Sequence, residues 1–308
     1  MRILKITLFL IVVLVVSCEK DNINDKFDDG FNIILNDKTI ISQNDFNYYD
    51  YSTHLLYFNN DNPFAEYLKD IGDFVVYANG VKIYDGMIIP ENRNDFIYSG
   101  PIIQPNSDYD DYILPIISYP QMKTPGIIEQ DPRNDIRIEN ALKKYNKFHS
   151  GLTCNISSIQ FQSTTAILEL TLSNNDSFNY YYLNPDSMGI NLYHNYTGTL
   201  FVGDSSYSFE DSGLGYGDSL PGYSGQVNIE SPPFWNYWEN RWLSLIKSGE
   251  TKSIIISYDN FPEIPKGNYY VYFRFPGLNI HLSKEEINLE NGKIWQGEIK
   301  MFKQITID

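Results

Sequence analysis

The chain has 308 residues, with 23 Lys and Arg against 39 Asp and Glu, a formal charge of −16 and 15% aromatic residues. That balance excludes ordinary nucleic-acid binding, which rests on phosphate neutralisation by basic side chains, and disfavours anionic lipid while allowing divalent cations and cationic partners. The length allows two domains, and two cysteines are too few for a disulfide framework, so the fold must rest on its hydrophobic core.

Arg2 and Lys5 precede an apolar run, Ile6 to Val16, in which Thr7 is the one polar residue. Eleven residues fall short of the roughly twenty that a spanning helix needs, so the run reads as a signal-peptide core. It ends in Val15-Val16-Ser17-Cys18, which resembles the lipobox of bacterial lipoproteins. The resemblance implies removal of residues 1–17 and lipid chains on Cys18, and two or more chains hold a protein stably at a membrane. Loss of Arg2 and Lys5 makes the mature chain two charges more negative. Residues 18–30 are polar and mostly acidic, with little to bury, and read as a disordered tether. Cys18-Glu19-Lys20-Asp21 is similar to the surface-export signal of Bacteroidota lipoproteins. That likeness implies an outer-membrane lipoprotein displayed at the cell surface, with the periplasmic face as the alternative.

Residues 31–122 read as a small, mainly antiparallel β domain. Phe31–Leu35 and Thr39–Ile41 flank a short turn at Asn36-Asp37-Lys38, and Thr53 to Phe58 reads as a strand. Asp73–Ala78, Asn79-Gly80 and Val81–Tyr84 form the sharpest local signal, because Asn-Gly tolerates the positive φ angles of a type I′ hairpin. Pro63 to Ile71 reads as a short helix, Phe96 to Ile103 and Tyr112 to Tyr119 as further strands.

Residues 123–151 read as linker and bridging helix. Asp131 suits the N-cap and Pro132 the first helical position; Asp135 and Glu139 complement the positive helix start. Lys143, Lys144 and Lys147 lie near the far end, with Gly151 as the stop. Ile138, Leu142 and Tyr145 recur on one face.

From Leu152 onward, strand patterns resume at Ala166–Leu172, Tyr180–Leu183, Thr199–Val202, Ser253–Tyr258, Tyr269–Phe275 and Trp295–Ile307. Short strands separated by turn residues argue for a β-sandwich. Pro265-Lys266-Gly267-Asn268-Tyr269-Tyr270-Val271 resembles the late strands of an immunoglobulin-like domain, which implies that architecture for residues 152–308 without implying a function. Cys154, left alone by lipidation of Cys18, sits in a strand-like run and is expected to be buried.

Gly217-Asp218-Ser219-Leu220 spells the nucleophile motif of GDSL hydrolases. The following Pro221-Gly222 opposes the helix that the nucleophile needs, and His281 lacks the Asp three residues before it, so the match reads as coincidence. Asp186-Ser187-Met188 and Asp218-Ser219-Leu220 also look like the tripeptides that Bacteroidota O-glycosylate. The four histidines, His54, His149, His194 and His281, show no metal-ligand spacing. No EF-hand loop occurs; the acid-rich stretch with Asp204, Glu210, Asp211 and Asp218 offers at most an irregular Ca²⁺ set, and no other cofactor is expected.

Ser231-Pro232 suits a helix start, after which Trp235, Trp238, Trp242 and Leu245 fall on one face. This Trp-rich helix either packs on the sandwich or presents an aromatic platform, with Tyr237 and Arg241 beside it. Upstream, Gly203 to Gly225 carries Tyr207, Tyr216 and Tyr223 among Gly, Ser and Asp, the composition of adaptable binding loops. The expected function is a membrane-anchored, non-catalytic binding module for a glycan or an extracellular protein, with Trp235, Tyr237, Trp238, Arg241, Trp242, Tyr207, Tyr216 and Tyr223 as ligand contacts. The alternatives are an accessory subunit of an outer-membrane complex and a glycosidase or esterase.

Overall fold

The computed structural model describes residues 29–36, 39–90, 100–105, 109–118, 130–162, 165–188, 201–204, 242–258 and 266–308. The fold is mainly β. Strands β1 (Phe31–Leu35), β2 (Thr39–Ser42), β3 (Phe46–Asp50), β4 (Leu55–Phe58), β5 (Gly72–Ala78), β6 (Val81–Ile88), β7 (Pro101–Ile103) and β8 (Ile113–Ser118) lead to helix α1 (Ile136–Lys144) and strand β9 (Phe148–His149). All nine strands join one sheet in the order β2-β1-β5-β6-β7-β8-β4-β3-β9. Its pairs are antiparallel except β6–β7 and β3–β9.

The Asn-Gly signal is realised. β5 and β6 pair across Asn79 and Gly80, whose φ angles are +49° and +75°. Three expectations for the first half of the chain need correction. Thr53 lies outside β4, which starts at Leu55 because the preceding residues form a turn. The segment around Pro63 forms only a 3-10 turn, Ala65–Leu68, with no side-chain cap.

The third concerns the bridging helix. Asp131 caps a 3-10 turn, Pro132–Asn134, and Asp135 caps α1 itself, its carboxylate accepting the Arg137 N–H at 2.8 Å. Two consecutive caps divide the segment that reads as one helix. Its end is set by Asn146 rather than Gly151. Asn146 adopts a left-handed φ of +55°, and the Asn146 and Lys147 N–H groups return to the carbonyls of Lys143 and Leu142, a Schellman closure. Ile138, Ala141 and Leu142 are buried, while Tyr145 is half-buried and donates its hydroxyl to Asp29. Asp135→Ala should cost about 1 kcal/mol through the lost cap, read as a lower urea midpoint.

After His149 come β10 (Leu152–Gln162), β11 (Thr165–Asn174), β12 (Tyr180–Leu183), helix α2 (Pro185–Met188), β13 (Phe201–Asp204), β14 (Leu243–Ile246), β15 (Thr251–Tyr258) and β16 (Gly267–Pro276). Helix α3 (Lys284–Ile287), β17 (Asn288–Leu289), β18 (Gly292–Ile294) and β19 (Glu298–Ile307) complete the chain. They form three sheets: β10-β11-β15, β14-β12-β18-β17 and β13-β16-β19. Strict alternation along β11 buries Ala166, Leu168, Leu170 and Leu172. Leu245 lies in β14, paired with Tyr181, so the Trp-rich helix does not run through it. Its apolar spacing suited a helix, but pairing with β12 overrides that weak local preference. Trp295 lies before β19 rather than in it.

One apolar core joins both parts of the chain, from Phe31 and Tyr49 through Leu142 and Leu168 to Phe273 and Trp295. Cys154 is buried, as expected. Among the described residues no helix is long and apolar enough to cross a membrane.

Candidate functional site: a cleft between the two β regions

The turn that displaces Thr53 from β4 is the hub of the molecule. Asp50 ends β3, and its Oδ1 accepts the Ser52 N–H at 2.9 Å, the Thr53 N–H at 3.3 Å and the Ser52 hydroxyl at 2.6 Å. Such an Asx turn forms wherever Asp is followed by small polar residues and no strand partner competes. His54 closes it with φ +58° and its Nδ1 lies 2.8 Å from the Tyr49 hydroxyl. Burial holds the His54 imidazole well below its usual range, so it is neutral at pH 7. Burial likewise pushes the Asp50 carboxyl up to about 6.

The later half of the chain clasps this turn. Trp295 Nε1 donates to the Ser52 hydroxyl at 3.3 Å. Gly151, at φ +63°, approaches so closely that a Cβ would lie 2.1 Å from Ser52 Oγ and 2.4 Å from Asp50 Oδ1. Gly297, at φ +93°, sits against Thr53, where a Cβ would lie 2.4 Å from the Thr53 Cβ. Both glycines are required by backbone conformation and by space.

Beside the clasp a cleft of about 720 Å³ is lined by residues of both regions, Tyr51–Leu55 of the turn among them. Pro115, Ile117 and Ser118 of β8 line it together with Asp131, Arg133 and Asn134, and Tyr109 adds a ring. Arg133 is fixed there: its Nε and Nη2 donate to the Asp131 carboxylate, the latter at 2.6 Å, and its Nη1 donates to the Ile116 carbonyl. Leu152–Asn155 of β10, Arg274 of β16, Asn279, and Glu298, Lys300 and Phe302 of β19 also line it. Glu298 lies between two cations, 3.3 Å from Arg274 Nη1 and 2.9 Å from Lys300 Nζ. Lys300 also donates to the Ser118 carbonyl of β8 at 3.4 Å. Burial pushes the Cys154 thiol up to about 12, so it is a protonated, unreactive part of the lining.

A second polar cluster lies at the β3–β9 seam. Asp176 accepts from His149 Nδ1 at 2.8 Å, from the Gly151 N–H at 2.9 Å and from the Tyr180 hydroxyl at 3.1 Å. Burial opposes its charge, yet these bonds bring the carboxyl down to about 2. His149 stacks on Phe178 with ring centroids 3.9 Å apart, and Lys293 Nζ lies 4.3 Å from the Phe178 centroid and 4.6 Å from that of Tyr48. This cluster joins sheets.

The candidate contacts drawn from the sequence are placed as follows. Trp235, Tyr237, Trp238, Arg241, Tyr207, Tyr216 and Tyr223 lie outside the described residues, as do Cys18, Ser219 and His194. Trp242 is half-buried against the core, and its carbonyl accepts the Asn184 N–H at 2.8 Å. Ser187 is exposed in α2. Of the Ca²⁺ candidates only Asp204 belongs to a described strand, and no group of three or more His, Cys, Asp or Glu that could hold a metal occurs among the described residues. His281 is exposed, whereas His54 and His149 are structural. The cleft residues escaped sequence reasoning. The one available signal was Asp50-Tyr51-Ser52-Thr53, an Asx-turn string that marks the hub without disclosing the cleft beside it.

No protein-family model matches the chain, and no curated protein matches it.

Proposed function

We propose that the chain is a lipid-anchored, cell-surface binding module that holds a glycan in the cleft between its two β regions. The anchor rests on Val15-Val16-Ser17-Cys18 and the polar segment behind it. For residues 152–308 we infer an immunoglobulin-like sandwich. β10 lies against β19, and Lys303 Nζ donates to the Ile156 and Ser157 carbonyls at 3.0 and 2.8 Å, tying the β10-β11-β15 and β13-β16-β19 sheets together.

The lining of the cleft is the observation that carries the glycan reading. Tyr51, Tyr109 and Phe302 supply apolar ring area, while Asn134, Asn155 and Asn279 supply amides. Sugar C–H faces stack on rings, and neighbouring hydroxyls match the donor and acceptor of one amide. A volume of about 720 Å³ accommodates a short oligosaccharide.

The test is a glycan-array screen of the full chain, repeated with Asn134→Ala and Asn155→Ala. Both residues are exposed, so neither change should disturb folding. Saturable binding that drops about tenfold or more in these variants is expected. The pair Trp235→Ala and Trp238→Ala serves as the competing site, and loss confined to that pair would move the ligand to the Trp-rich segment. Silence across the array would overturn the glycan reading in favour of a protein partner.

A further inference from the structure

Asp29 and Gly30, which lead into β1, are clipped to one end of the first sheet. Asp29 accepts from Lys144 Nζ and from the Tyr145 hydroxyl at the C-terminal end of α1. The Gly30 N–H donates to Asn79 Oδ1 at 3.0 Å, and the Asn79 N–H returns to the Gly30 carbonyl at 2.8 Å. The turn before β3 closes the same end, where the Gln43 N–H donates to the Phe31 carbonyl at 3.0 Å. Three elements connect this end to the cleft. The five residues of β3, at about 3.3 Å each, lead from that turn to the Asp50 turn, whose Tyr51–Leu55 line the cleft. β9 lies parallel to β3 and leads from Lys147 to Ser150, another lining residue. α1 runs the opposite way: Asn134 lines the cleft just before it, and nine residues at about 1.5 Å each carry it to Lys144. Strand and helix agree on a separation of about 15 Å between the clipped end and the cleft.

We propose that the end holding Asp29 and Gly30 faces the bilayer and meets its lipid headgroups, so that the cleft is held at the membrane-distal end. The proposal rests on the lipid-anchor reading above and adds the orientation of the anchored protein. Cys18 precedes Asp29 by eleven peptide units, which span at most about 40 Å. The membrane surface must lie within that reach of Asp29. A pose with the cleft against the bilayer makes the same eleven units cover the length of β3 and α1 as well. Stretching the segment in this way removes conformations from it, and the lost entropy disfavours that pose. Val81, 47% exposed and paired with Ala78 beside Phe31, adds apolar area at the clipped end for headgroups to cover. A ligand arriving from solution then meets the cleft without crossing the headgroup layer.

The experiment is energy transfer from a single dye on the full chain to rhodamine-labelled lipid, in vesicles of phosphatidylethanolamine and phosphatidylglycerol. A membrane-impermeant thiol dye is placed on Asn44→Cys at the clipped end or on Asn134→Cys in the cleft, both exposed positions. The buried, protonated Cys154 thiol does not compete for the dye, and on the anchor reading Cys18 is acylated. Unchanged melting temperatures verify that both variants fold. The dye at position 134 is expected to lie farther from the labelled lipid than the dye at position 44, by about 10 Å or more. Equal distances, or a shorter one at position 134, on a chain that floats with the vesicles overturn the orientation and leave the anchor standing. A chain that stays in solution, to the same extent as its Cys18→Ala variant, overturns the anchor reading and the orientation together.

Discussion

Replacing Trp295 with alanine should destabilise the protein by about 3–5 kcal/mol, the range for deleting a fully buried large aromatic side chain. Trp295 is 1% exposed and packs its ring 5.9 Å from that of Phe275. Its backbone N–H is committed to the Tyr181 carbonyl at 2.9 Å, so collapse cannot readily fill the void. The indole N–H also holds the Ser52 hydroxyl, the centre of the hub turn. Trp295→Phe separates the two contributions. It keeps most of the ring volume and loses the N–H, and should cost about 1–2 kcal/mol. A cycle with Ser52→Ala should give a coupling of about 1 kcal/mol by urea denaturation. Zero coupling would show that the indole acts by packing alone and that the later half of the chain grips the turn through its glycines.

Those glycines mark the boundary between what the sequence discloses and what it conceals. Asn79-Gly80 was legible because a type I′ turn is a property of two adjacent residues. The mainly β character was legible for the same reason: alternation along Ala166–Leu172 and the Tyr269–Phe275 run is local. Gly151 and Gly297 carry no such signature. Their need for positive φ and for no side chain arises from Ser52 and Thr53, about 100 and 240 residues away in the chain. The helix boundaries failed for a subtler reason. Asp131-Pro132 and Asp135 are both competent caps, and only closure of the 3-10 turn decides which one starts α1. Leu245 failed because strand pairing with Tyr181 outweighs helical spacing. The cleft is the extreme case: Arg133, Arg274, Glu298 and Lys300 are ordinary surface residue types until the sheets bring them to one opening.

The hub turn should also govern how stability responds to pH, and Asp50→Asn should reveal it. The Asp50 carboxyl is buried and its folded value is pushed up to about 6, above the ordinary 3.8. A raised folded value means that the folded state holds this proton more tightly. Its stabilising contribution is therefore fully present below about pH 4 and is lost as pH rises through about 6. Two units correspond to about 3 kcal/mol, and the hydrogen bonds from Ser52 and Thr53 already lie within that balance. Two neighbours act in the opposite sense. The depressed imidazole of His54 contributes stability above its ordinary 6.5 that is lost on acidification, and the Asp176 carboxyl, at about 2, contributes stability lost only as pH falls towards that value. Asp50 and His54 should therefore give the unsubstituted protein opposed slopes below about pH 6.5. Asn keeps the Oδ1 acceptor that all three hub bonds use and cannot ionise. Asp50→Asn should match the unsubstituted protein near pH 4, exceed it by about 2–3 kcal/mol above pH 6.5, and expose the His54 slope. Urea unfolding at half-unit pH steps reads the difference directly. Parallel curves for the two proteins would mean that Asp50 is as well solvated by its turn as by water, and that the hub is held by its hydrogen bonds without an electrostatic penalty.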